Sequence, residues 1–165
     1  MPCQTAKILY NTNMDILDNN THTGVFETVM AGFPEPPSGI KDPTQLGPLV
    51  LAYIGDTVFD LYVRSMLIAR TDLTAHGLHM AAAKRVCAAA QAACYKKAEA
   101  MLTEEESAVF RRGRNSHMGT IPKNASIGDY RAATGLEAVI GWLYLKQRDE
   151  RLNELMRVML SNENE

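Results

Sequence analysis

An all-helical fold is what three features of the 165-residue sequence predict. Ala, Leu and Met dominate its apolar positions, few Val, Ile or Thr residues alternate with polar ones as a half-buried strand requires, and the longest apolar runs repeat at helical spacing. With 46% hydrophobic and 22% charged residues, the chain has the composition of a globular protein. It is long enough for one real core and too short for two full-sized domains.

Residues 1–43 are rich in Asn and Thr and then in proline, at Pro34, Pro36, Pro37 and Pro43. One apolar cluster, Val25, Phe26, Val29 and Met30, is too little to fold alone, so this segment is expected to be an extension with at most a short helix, ending in a stiff linker. Residues 44–165 are expected to form the domain. From Pro48 to about Ala69, Leu49, Val50, Tyr53, Ile54, Val58, Phe59, Leu61, Tyr62 and Val63 wrap most of a helix circumference. That is more apolar surface than one small domain can cover, and it predicts a homodimer.

A second helix is expected from Thr74 to Met101, with an alanine face for close helix approach and an exposed edge of Lys84, Arg85, Lys96 and Lys97. Thr103-Glu104-Glu105-Glu106 is a capping box, and the helix it opens should stop near Arg112 at Gly113. Residues 113–128 hold three glycines and a proline without helical period, which marks a long loop. Loops of that length in small domains are more often functional than not. Asp129 is expected to cap a helix from Tyr130 to about Gln147, with Leu136, Val139, Ile140, Leu143 and Tyr144 inward. A last amphipathic helix, about Asp149 to Leu160, turns Leu152, Leu155, Met156 and Met159 to one face.

Three cysteines without C-x-x-C spacing argue against a disulfide framework or a zinc site and for a reducing interior. Neither a signal sequence nor a membrane span of roughly 20 apolar residues is found, so a cytoplasmic protein with no membrane partner is expected. Histidines show no metal-protease spacing, and neither a hydrolase triad order nor a phosphate-cradling Gly-Lys loop is present. The net charge of −2 does not announce a nucleic-acid binder, yet Arg111, Arg112, Arg114, Lys123 and Arg131 face only Asp129 within one stretch. Such a stretch can grip phosphate, or it can be a solvated helix end favoured by the helix dipole.

Two carboxylates carry the clearest signal. Asp56 is the one charge between Pro43 and Phe59, and Glu137 the one charge between Ala132 and Leu145. In buried helices each would be costly to ionise unless a cation or donor met it. Ala133, Thr134, Ala138 and Gly141 around Glu137, and Gly55 beside Asp56, are small enough to admit an ion or a phosphate. Two carboxylates on adjoining helices suit Mg²⁺, which keeps several waters and accepts phosphate oxygens, permitting attack of water on a phosphodiester. Pairing with Arg, Lys or a helix N-terminus is the structural alternative. Asp60, one turn on, could join the site or pair with Arg64.

Three stretches, L-A-Y-I-G-D-T-V-F-D-L-Y-V-R at 51–64, R-R-G-R-N with P-K-N at 111–124, and Y-R-A-A-T-G-L-E-A-V-I-G-W-L-Y-L at 130–145, together resemble the Mini-III branch of the ribonuclease III family. The resemblance runs from about Gln45 to Leu160. It implies a ribonuclease III-like helical bundle, acting as a homodimer on double-stranded RNA with Mg²⁺ and leaving 5′-phosphate ends. By matching position, Asp56 is the aspartate of the signature G-D and Glu137 the glutamate of the second acidic motif. Full-length ribonuclease III has further carboxylates where this chain has Ala52 and Thr134, so weaker metal binding is implied. No double-stranded-RNA-binding domain is expected from the resemblance to this branch, which leaves Arg111, Arg112, Arg114, Asn115 and Lys123 as expected RNA contacts, since A-form duplexes are read through phosphates and 2′-hydroxyls. Asp60, Lys84, Arg85 and Arg131 are secondary candidates. The family's association with precursor large-subunit ribosomal RNA suggests the target, with a ribosomal protein as a possible helper. A non-catalytic RNA-binding or ribosome-assembly module is the alternative function.

Overall fold

The computed structural model describes residues 24–32, 42–116 and 126–161, and among these the ordered elements are all helical. They are α1 (Val25–Met30), α2 (Pro48–Arg70), α3 (Ala75–Val86), α4 (Ala88–Ala98), α5 (Glu104–Arg114), α6 (Ile127–Leu145) and α7 (Asp149–Met159), with 3-10 turns at Pro43–Gln45 and Glu99–Met101. The all-α expectation holds.

Helix α6 is the hub. Eleven of its residues, from Ala133 to Tyr144 with Glu137 left out, are buried, because α2, α4 and α5 pack on it from different sides and α7 crosses its end. A helix apolar all round belongs in such a place. Trp142, Phe59, Leu51, Leu136, Ile140, Leu143, Leu152, Leu155, Met156 and Met159 form the fully buried centre. Helices α2 and α6 make the closest crossing: a Cβ on Gly55 would overlap the Glu137 carbonyl, and one on Gly141 would overlap the Leu51 carbonyl. The two glycines therefore bring the backbones at 55 and 137 into contact.

Several boundaries differ from the sequence reading. The expected helix from Thr74 to Met101 is two helices and a 3-10 turn, broken at Cys87, whose backbone is extended (ψ 156°). The break is held by Gln91, whose side-chain amide donates to the Val86 carbonyl at 3.1 Å, a group left without a partner at the end of α3. Helix α5 does not stop at Gly113 but runs to Arg114, because Gly113 is buried against α6, where a Cβ would lie 2.8 Å from the Ala138 Cβ. Helix α6 starts at Ile127, earlier than expected, since Ser126 rather than Asp129 caps it by accepting from the Asp129 amide at 3.2 Å.

The Thr103 capping box forms as read, and its Glu106 is also buried. Arg151 of α7 donates to both Glu106 carboxylate oxygens at 2.9 Å, to the Met101 carbonyl at 2.6 Å and to Glu154 at 2.6 Å. Burial raises the Glu106 pKa, but Arg151 and the Thr103 amide overcome it and hold the group below its usual range. Helix α6 ends in a Schellman turn: Arg148 N–H donates to the Leu143 carbonyl and Gln147 N–H to the Tyr144 carbonyl, each at 3.0 Å. Gln147 occupies the left-handed position there, with φ 56°. Helix α1 rests on the bundle through Phe26, edge-on to Tyr144 at 5.5 Å.

Candidate active site

A groove of about 620 Å³ opens where α2 crosses α6, with the α3–α4 junction as its third wall. Ala52, Tyr53, Asp56 and Thr57 of α2, Cys87 and Gln91 of the junction, and Tyr130, Ala133, Thr134 and Glu137 of α6 line it. The glycine-mediated crossing sets Asp56 and Glu137 on facing walls. Ala52 and Thr134, where the resemblance implies that full-length relatives carry further carboxylates, line the same groove.

Glu137 is half-buried, and its pKa is pushed up to about 7 by burial, against the opposing hydrogen bond from Gln91 and with a further push from the charge of Asp56. Asp56 lies at the exposed edge of the groove, not in the apolar interior expected for it. The reason is that α2 covers itself with the bundle along Leu51, Gly55, Val58 and Phe59, which leaves position 56 on the flank. Partial burial and the charge of Asp60 still raise its pKa, and Gln91 opposes this. Among the described residues the ion pairs fall elsewhere, and neither Asp56 nor Glu137 has an arginine or lysine partner. No group of three or more His, Cys, Asp or Glu residues gathers into a metal-sized cluster among the described residues.

Gln91 is the site residue that the sequence reading missed. It is 2% exposed, and its Nε2 donates to Glu137 Oε1 at 2.9 Å as well as to Val86. The signal was the same one that found the carboxylates: a single polar side chain in an otherwise apolar helical run, here Ala88 to Ala93.

The remaining candidates divide. Asp60 does not line the groove, and Arg64 Nε donates to its Oδ2 at 2.6 Å. Arg112 is engaged structurally: its guanidinium forks onto the carbonyls of Thr44 at 3.0 Å and Leu46 at 2.7 Å, fastening the turn before α2 to α5. Arg111 and Arg114 are exposed on the last turn of α5, with Asn115 as its C-cap, and none of the three lines the groove. Lys84 and Arg85 are exposed at the end of α3, just before groove-lining Val86, and Arg131 is exposed beside groove-lining Tyr130. Lys123 lies outside the described residues.

The comparisons with known proteins agree on the class. A family model described as a ribonuclease III domain matches residues 49–148, and a Fusobacterium nucleatum protein solved by X-ray crystallography superposes with a TM-score of 0.67 at 28% identity, covering 73% of this chain and 97% of that one. Fold and domain together define an endoribonuclease. Mini-ribonuclease 3 of Clostridium tetani is 46% identical over 73% of this chain and 81% of its own length. The Staphylococcus aureus Mini-ribonuclease 3 is 39% identical over 73% and 91%. The chain belongs to the Mini-ribonuclease 3 branch of the ribonuclease III family.

Proposed function

We propose that this endoribonuclease cuts double-stranded RNA with Mg²⁺ held by Asp56 and Glu137. The observation that carries the reading is the meeting, on one groove, of two carboxylates from different helices, both with raised pKa and neither with a basic partner among the described residues. Two carboxylates that resist ionising together are what a divalent cation with mostly water ligands relieves. When bound, Mg²⁺ lowers the pKa of a coordinated water and neutralises charge building on the phosphate. Glu137, braced by Gln91, presents a fixed oxygen from the half-buried wall, while Asp56 supplies one from the exposed edge, so the scissile phosphate enters from the open side.

Residues 44–165 make the catalytic unit in this reading. Arg111, Arg114, Asn115 and Lys123 contact the duplex backbone, with Lys84, Arg85 and Arg131 at the groove side. Phosphate contacts of this kind fix register and carry little sequence information. Precursor large-subunit ribosomal RNA in the cytoplasm is the proposed target, with a ribosomal protein as helper. Leu49, Val50, Tyr53, Leu61 and Ile68 of α2 are exposed in the single chain, and we assign that face to a homodimer. Sedimentation of a monomer at micromolar concentration would remove that assignment.

The deciding test is a structured duplex with Mg²⁺ or EDTA, comparing the protein with its Glu137→Gln variant. Cleavage that needs Mg²⁺ and vanishes in E137Q, with duplex binding retained, is expected. Duplex binding without any Mg²⁺-dependent product would instead establish the non-catalytic module, which the two-carboxylate set keeps as the competing reading.

A further inference from the structure

Gln91 holds more than a helix end. Both hydrogens of its side-chain amide are committed, one to Glu137 Oε1 and one to the Val86 carbonyl, and these two acceptors fix which way the amide faces. Its carbonyl oxygen, Oε1, is then left buried with no hydrogen-bond partner among the described residues. An orphan acceptor inside a protein costs about 1–3 kcal/mol and calls for a reason. That cost falls on a residue that lines the groove carrying Asp56 and Glu137 and spends both donors on holding the site together.

We infer that Gln91 is a neutral positioning residue of the cation site, whose side-chain amide holds the Glu137 carboxylate in place for the ion. The inference rests on the proposed metal-dependent function and adds to it a residue outside the acidic motifs. An amide suits this position better than a third carboxylate on electrostatic grounds. It donates to Glu137 without adding charge beside the two carboxylates that share this groove. Partners of a metal ligand that orient it in this way commonly change metal affinity by about 10- to 100-fold when removed. Gln91 is thus a positioning residue, since it acts through Glu137.

The test measures Mn²⁺ binding to the RNA-free protein by electron paramagnetic resonance, alongside the Mg²⁺ concentration giving half-maximal duplex cleavage. Gln91→Leu should weaken Mn²⁺ binding by about 10-fold or more and raise the Mg²⁺ requirement in step, with much of the cleavage rate recovered at high Mg²⁺. Gln91→Met, which keeps the length of the side chain and removes only its donors and acceptor, should weaken Mn²⁺ binding in the same way. A Q91L protein that is folded and binds Mn²⁺ like the parent overturns the inference. If Q91L does not fold, Q91M decides alone, and binding equal to the parent's overturns it. E137Q separates the two levels. Loss of Mn²⁺ binding in E137Q with parent-like binding in Q91L refutes Gln91 only, whereas a parent protein that neither binds Mn²⁺ nor cleaves removes the metal-site reading and this inference with it.

Discussion

Neutralising Glu137 should make the metal-free protein more stable at alkaline pH while destroying its activity. In the folded chain Glu137 keeps its proton until about pH 7, and in the unfolded chain it loses it near 4.5. Between those values the folded state holds the extra proton, so the contribution is fully present below 4.5, erodes as pH rises and is gone above about 7. At about 1.4 kcal/mol per pH unit the full displacement amounts to about 3 kcal/mol, which the groove's water should trim to about 2 kcal/mol. Glu137→Gln retains an oxygen for Gln91 and removes the ionisation. Urea unfolding in EDTA, at equal protein concentration, should therefore show the gap between E137Q and the parent widening in favour of the variant by about 2 kcal/mol from about pH 4 to about pH 8. Millimolar Mg²⁺ at the higher pH should stabilise the parent and leave E137Q unmoved, because only a site with both carboxylates gains from the ion. A gap that is the same at both pH values would show that Glu137 is not buried as an acid, and the electrostatic argument for the cation site would fail.

Other substitutions separate structural from functional charge. Arg112→Ala should lower stability by about 1–2 kcal/mol in thermal unfolding by releasing the Thr44 and Leu46 carbonyls, and should leave the salt dependence of duplex binding nearly unchanged. Arg111→Ala and Arg114→Ala should do the reverse, each reducing the slope of log affinity against log salt by about 1 with little effect on melting. Arg151→Met strands the buried Glu106 and should cost about 3 kcal/mol at neutral pH. Because the folded Glu106 pKa is lowered, the pair's contribution is present above 4.5 and fades as pH falls through the folded value, so the parent and R151M should converge in acid. Gln147→Gly, at φ 56°, should add about 1 kcal/mol by relieving a left-handed side-chain residue, read as a higher melting temperature.

What the sequence made legible was whatever depends on neighbours within one or two turns. The span of α2, the Thr103 capping box and the inward stripe of α7 are short-range patterns, and they form as the residues suggest. The misread points depend on distant partners. Nothing in an alanine-rich run shows that it breaks at Cys87, because the break is stabilised by a side chain that also reaches Glu137, 46 residues away. Gly113 has the look of a helix stop, but its small size serves a close approach to α6. Arg112 sits in a basic stretch like its neighbours, and only the carbonyls of Thr44 and Leu46, 68 and 66 residues back, set it apart.

The candidate site follows the same logic in reverse. A lone polar residue in an apolar run is visible locally, while the reason for it lies across the fold. Asp56 and Glu137 carry that mark as well as the matching motif positions, and the crossing at Gly55 and Gly141 is where the two meet on one groove. Gln91 carried the mark too and was passed over, because an amide has no charge whose burial demands an explanation. Its burial is nonetheless selective: two hydrogens are spent on Val86 and Glu137, and the acceptor is left buried without a partner among the described residues. Counting donors and acceptors, as well as charges, within apolar helices would have brought all three residues of this site to attention.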